Sequence, residues 1–170
     1  MAKNKVKYVG AFTDETMKTL NNNLSDVALA TTQFDAVTGT TGATLTNVVG
    51  MVTDTLEAGT YRFKIHLAGV ATANSGMKVG LKFGTASMLT SIESTAKGYT
   101  ASAVAVQHST TATDAASLFA STTAVINVEL EGTLVVATAG TLQLQAAQNA
   151  AHADTTSVYV GSYMTFTKVG

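Results

Sequence analysis

The sequence predicts an all-β protein, an antiparallel sandwich or closed barrel of about eight to ten short strands. Three observations carry this. Residues Leu56–Val70 open with a Gly turn and then alternate strictly, with Tyr61, Phe63, Ile65 and Leu67 on one face and Arg62, Lys64 and His66 on the other. A period of two describes a strand with one dry and one wet face. The same Ala-Gly-Thr opening returns at Ala139-Gly140-Thr141, followed by Leu142-Gln143-Leu144-Gln145. From Val27 onward turn signals recur every 8–12 residues, and no helical crossovers intervene to make a parallel sheet.

Residues 1–26 read as an arm and a short helix, and residues 27–170 as the β domain. In the arm, Lys3, Lys5 and Lys7 alternate with Asn4 and Val6, and Tyr8, Val9 and Phe12 follow as apolar anchors. Such a segment is either a frayed solubilising terminus or an arm that orders on a partner, its lysines meeting carboxylates. Thr13 can cap a helix, Asp14 and Glu15 suit its first turn, and Met17, Leu20 and Leu24 recur at helical spacing.

Val27–Phe34 is the expected first strand. Asn47–Leu56 and Thr60–Val70 are expected to pair as a hairpin around Glu57-Ala58-Gly59. Met77, Val79, Leu81 and Phe83 alternate with Lys78, Gly80 and Lys82 in a second amphipathic strand. Ala86–Ile92 and Tyr99–Gln107 form weaker strands separated by Ala96-Lys97-Gly98. Thr110–Ser121 is a loop or helical turn plugged by Leu118 and Phe119. Thr123–Leu130 sets Val125, Asn127 and Glu129 opposite Ile126, Val128 and Leu130, and Glu131-Gly132 turns the chain into Thr133–Thr138. Thr141–Gln148, a loop at Asn149–Asp154 and a strand from Thr156 to Val169 close the chain.

The chain holds 170 residues, with 12% charged, about half the usual quarter, and only 6% aromatic. Low charge with abundant Thr and Ala fits a surface partly buried against copies of itself. A net charge of −1 gives no bulk attraction to nucleic acid. Zero Cys rules out disulfides and thiolate metal sites. No signal peptide and no long apolar run appear, so neither export nor a membrane is expected.

Little in the residues points to chemistry. His66, His108 and His152 are far apart and lack metal-ligand spacing; His152 with Asp154 is at most half a site. Glu129 and Glu131 share a strand face and can attract a cation or lysine, or simply lie solvated. Gly39-Thr40-Thr41-Gly42 lacks the Lys and helix of a phosphate loop. No enzyme and no cofactor is expected.

Three segments resemble, in order, the paired strands, late strand pair and closing strand of trimeric jelly rolls of the complement/tumour-necrosis-factor type. They are Asn47–Phe63, Gly132–Gln145 and Gly161–Val169. The resemblance covers about residues 43–170 and leaves 1–26 outside. Domains of this pattern occur in tailed bacteriophages as capsid decoration proteins and fibre tips. The resemblance implies a homotrimer on the exterior of a virion, made in the host cytoplasm, with the major capsid protein as partner. No nucleic acid, membrane or small-molecule substrate is implied. The arm residues Lys3, Lys5, Lys7, Tyr8 and Phe12 would contact the capsid. In the last strand Val158, Val160, Met164 and Phe166 fit the inner face, which leaves Tyr159 and Tyr163 as trimer contacts or half-exposed tyrosines. The row Arg62-Lys64-His66 is either a solvated face or a contact with an acidic neighbour. The alternative function is a receptor- or glycan-binding tip using loops Ala71–Gly76, Ser109–Ser121 and Asn149–Asp154.

Overall fold

A computed structural model describes residues 26–29, 34–36, 42–85, 87–100, 103–111 and 116–170. The expected arm and helix, with Lys3, Lys5, Lys7, Tyr8 and Phe12, lie outside the described residues. Within them every element is a strand: β1 (Asp26–Leu29), β2 (Phe34–Ala36), β3 (Thr46–Val52), β4 (Gly59–Ala71), β5 (Met77–Phe83), β6 (Leu89–Tyr99), β7 (Val104–Thr111), β8 (Ala116–Ser121), β9 (Val125–Val136), β10 (Leu142–Ala147), β11 (Thr156–Val158) and β12 (Tyr163–Lys168).

An eight-stranded sheet runs β1-β12-β4-β9-β6-β7, with β11 pairing β4 and β2; a four-stranded sheet runs β3-β10-β5-β8. Every pairing is antiparallel. Six of them, β1 with β12, β2 with β11, β3 with β10, β4 with β9, β5 with β8 and β6 with β7, nest like the rungs of one long hairpin. Side-by-side pairing of β12 with β4 and of β10 with β5 rolls that hairpin into two layers, which is the jelly-roll wrap. The β6–β7 hairpin forms the tip of that series and folds into the larger sheet, where β6 pairs with β9.

The core lies between the layers. Tyr61, Phe63, Ile65 and Leu67 of β4 and Met77, Val79, Leu81 and Phe83 of β5 are all buried, as the alternation requires. Phe63 and Phe166 stack with centroids 5.9 Å apart. Each such side chain contributes about 1.5–3 kcal/mol by leaving water.

Several boundaries differ from the sequence expectation. Val27–Phe34 divides between β1 and β2. β3 and β4 do not pair with each other, because they belong to different sheets. After β3 the chain stays with β10: Thr53 N–H donates to Leu142 O at 2.9 Å, and Leu56 N–H donates to Gly140 O at 2.7 Å. It crosses to the larger sheet at Gly59, whose φ of 147° is glycine territory. The two Ala-Gly-Thr openings thus enter opposite layers and meet at the Leu56–Gly140 bridge.

Ala96-Lys97-Gly98 is not a turn; it lies inside β6, and the reversal falls at Thr100–Ala103. Glu131-Gly132 is likewise internal to β9. A side-chain carbon at Gly132 would fall 2.0 Å from Glu93 O, so this glycine permits close strand approach. Residues 116–121 form a strand, with Leu118 and Phe119 both buried. Val125 is buried and Ile126 is 52% exposed, beside a register shift where β9 pairs with β4. The last expected strand is two strands, β11 and β12. A turn with Gly161 at φ 92° separates them, and it leaves Val160 exposed rather than on the inner face.

Candidate interaction surfaces

The outward face of the larger sheet is ordered in rows across strands. Thr165, Lys64, Glu131, Thr95 and His108 form one row, and Tyr163, His66, Glu129, Lys97 and Val106 the next. Directly opposed residues of an antiparallel ladder share a face, so these side chains are neighbours. His66 Nδ1 lies 3.6 Å from Glu129 Oε1, and Lys97 Nζ lies 3.6 Å from Glu131 Oε1. The Tyr99 hydroxyl donates to Glu129 Oε2 at 3.0 Å. That bond to a carboxylate holds the phenol above its ordinary range, because ionising it would oppose two negative charges.

The acidic neighbour of the Arg62-Lys64-His66 row is therefore in the same chain. Thr133, Glu131 and Glu129 lie beside it, residue for residue. Surface ion pairs of this kind are worth about 0–1 kcal/mol each, and they leave the face close to neutral.

Tyr163 stacks on His66, with centroids 5.5 Å apart and planes 25° from parallel. Its register opposite His66 places it on the outward side, half-buried. Tyr159, 41% exposed, occupies the β11–β12 turn, and its N–H donates to Ala68 O at 2.7 Å. Ile126, beside the Asn127 that pairs with Ala68, flanks β4 from the other side. Tyr159 and exposed Val160 lie in the turn that leads into Tyr163, so apolar side chains are exposed at this end of β4.

The four-stranded sheet presents a different face. Between the pairs Asn47–Gln145 and Val52–Gln143, β3 inserts extra residues, with Gly50 at φ 80°. The Gln143 amide covers this bulge, donating to Val48 O at 2.9 Å and to Met51 O and Leu144 O at 3.0 Å each. Sequence alternation marked Gln143 only as an outward polar residue.

At one end of the sandwich the loops 72–76 and 148–156 are bonded together. Asp154 Oδ2 accepts from Thr72 Oγ1 at 2.7 Å and Asn74 Nδ2 at 3.1 Å, and lies 3.2 Å from His152 Nδ1. Buried Gln148 accepts from His152 N–H at 3.0 Å and donates to His152 O and Asp154 O. His152 and Asp154 are thus parts of a loop clasp. Among the described residues no group of three or more His, Cys, Asp or Glu could hold a metal ion.

No protein-family model matches the chain, and no curated protein does.

Proposed function

We propose that this chain is a non-enzymatic virion protein that decorates or cements the outer surface of a phage capsid as a homotrimer. The observation that best supports the reading is a set of aromatic and apolar side chains left on the outside of a jelly roll. Tyr163, half-buried on His66, follows exposed Tyr159 and Val160 in the turn before β12, and a second copy would cover these residues. In this reading Tyr159 and Tyr163 are trimer contacts. The arm residues Lys3, Lys5, Lys7, Tyr8 and Phe12 engage the major capsid protein beneath.

The alternative, a receptor- or glycan-binding fibre tip, draws less support from the loops. Thr72, Asn74 and Asp154 are engaged with one another, and these loops offer no Trp or Tyr platform.

Native mass spectrometry of the full chain tests the copy number: three copies are expected, and a monomer overturns the proposal. Removing residues 1–12 should leave the trimer intact and abolish binding to empty heads. A truncated chain that binds heads as well as the full chain overturns the role of the arm.

A further inference from the structure

Apolar side chains are exposed at both sides of the larger sheet's outward face, and at the same level. One row runs Tyr163, His66, Glu129, Lys97 and Val106, and the next runs Ala68, Asn127, Tyr99 and Val104. Tyr163 therefore begins the row that Val106 ends. Tyr159, whose N–H donates to Ala68 O, stands at the head of the row that Val104 ends. Val104 and Val106 are each more than half exposed, as is Val160 beside Tyr159. Four strand steps separate β12 from β7, about 19 Å at the usual spacing, so the two patches cannot cover each other within one chain.

Among the described residues β7 is also the last strand of that sheet. Edge strands commonly carry charged residues or Pro that keep other chains away. β7, read Val-Ala-Val-Gln-His-Ser-Thr-Thr, has no Lys, Arg, Asp, Glu or Pro. Gln107 reaches the Ala120 backbone of the facing sheet and Ala105 packs against the core, which leaves Val104 and Val106 on the outward side. Exposed Val49 and Val52 lie on β3 of the smaller sheet, the opposite layer.

We propose that Val104 and Val106 receive the Tyr159–Tyr163 segment of a second copy, so that each copy in a ring presents β7 on one side and the β11–β12 turn on the other. The assignment rests on the trimer proposed above and adds which surface of the neighbour the tyrosines meet. A patch that meets its own likeness closes the assembly at two copies. Three copies in a ring require two different patches that fit each other. The level of the two patches meets that requirement. Three such faces turned to a common axis touch side to side, the β12 side of one against the β7 side of the next. Aromatic rings set against valines bury apolar surface without taking an ion out of water, and aromatics are enriched where copies meet. His66, Glu129 and Lys97 stay between the two patches.

The chain has no cysteine, so introduced thiols report the contact without background. The full-length double variant V106C/V160C, treated with a short bismaleimide at micromolar concentration, should run as a covalent trimer on a denaturing gel. Each single variant should run as a monomer. Within one chain the two thiols stand on opposite sides of the sheet, beyond the reach of so short a bridge. Val106→Asp should weaken association by roughly tenfold or more, because a carboxylate would enter an apolar contact unpaired. Val52→Asp on the other layer should leave association unchanged. Dimers from either single variant mean that like meets like, and they overturn the proposal, as does association untouched by Val106→Asp. A double variant that stays unlinked, while native mass spectrometry of the parent chain shows three copies, overturns this contact and leaves the trimer standing on other surfaces. A monomer in that measurement overturns both.

Discussion

Gly98 of β6 lies against the ring of Phe119 from the facing sheet. A side-chain carbon at Gly98 would fall 2.2 Å from Phe119 Cζ and 2.6 Å from Cε2. Phe119 is fully buried, so its ring uses the space that a residue other than glycine would fill. The contact joins the β6–β7 hairpin to the smaller sheet. The same edge is closed by Gln107 of β7, whose amide pairs with the backbone N–H and C=O of Ala120 in β8.

Gly98→Ala should therefore destabilise the chain by about 1–3 kcal/mol, the usual cost of overpacking a dense core. Phe119→Leu should restore part of that loss. The two substitutions would then be coupled by about 0.5–3 kcal/mol in a double-mutant cycle measured by urea unfolding. Strictly additive effects would show that the ring does not confine Gly98.

Gln143→Ala should cost about 1–3 kcal/mol, because the carbonyls of Val48 and Met51 lose a partly buried donor. Gln143→Glu should be at least as damaging, since a carboxylate cannot donate to them. Hydrogen exchange should accelerate in β3 and leave β4 unchanged. Unchanged exchange in β3 would assign the bulge to Gly50 alone.

What was legible in the sequence is the set of strands with one dry face. The alternations Tyr61–Leu67, Met77–Phe83 and Leu142–Leu144 map onto β4, β5 and β10, because burial acts on alternate residues whatever the partner strand. Sheet membership was not legible. β3 and β4 are neighbours in sequence with a Gly at the start of β4, and nothing local distinguishes a hairpin from a crossing between layers. Glycine was ambiguous for a related reason: Gly59 and Gly161 turn the chain through positive φ, whereas Gly98 and Gly132 make room for neighbours. That distinction depends on residues far away, Phe119 and Glu93. The Gln143 amide was hidden likewise, since its role arises from a bulge in another strand.

Asp154 gives the loop clasp a pH dependence. The hydrogen bond from Thr72, then that from Asn74, hold its carboxyl below the ordinary value of 3.8, with the nearby His152 acting in the same direction. A carboxyl lowered in the folded state binds protons less readily there than in the unfolded chain. Its contribution is therefore complete above about pH 4, near its unfolded pKa, and is lost as pH falls through the lower folded value. Asp154→Asn should be less stable than the parent chain at pH 7. The gap should narrow steadily as the pH is lowered from about 4 to 2, followed by thermal unfolding. A gap that does not change over that range would show that Asp154 contributes by shape and not by charge.

Tyr163 provides the sharpest test of the assembly. Its neighbours Met164 and Phe166 are buried in the core of the single chain, but Tyr163 faces outward and packs on His66. A tyrosine covered by a second copy acts as an anchor, and truncating an anchor commonly costs about 2 kcal/mol or more, roughly thirtyfold in association. Tyr163→Ala should thus lower the mass of the full chain measured by light scattering at micromolar concentration. Tyr163→Phe should preserve it, because the ring and its stack on His66 remain. Tyr159→Ala should weaken association in the same direction, since its exposed ring lies beside the same end of β4. All three should keep a cooperative unfolding transition, because neither tyrosine belongs to the buried core of the single chain. If Tyr163→Ala leaves the mass unchanged, the outer face of β12 is not where copies meet, and the exposed tyrosines must be explained without a second chain.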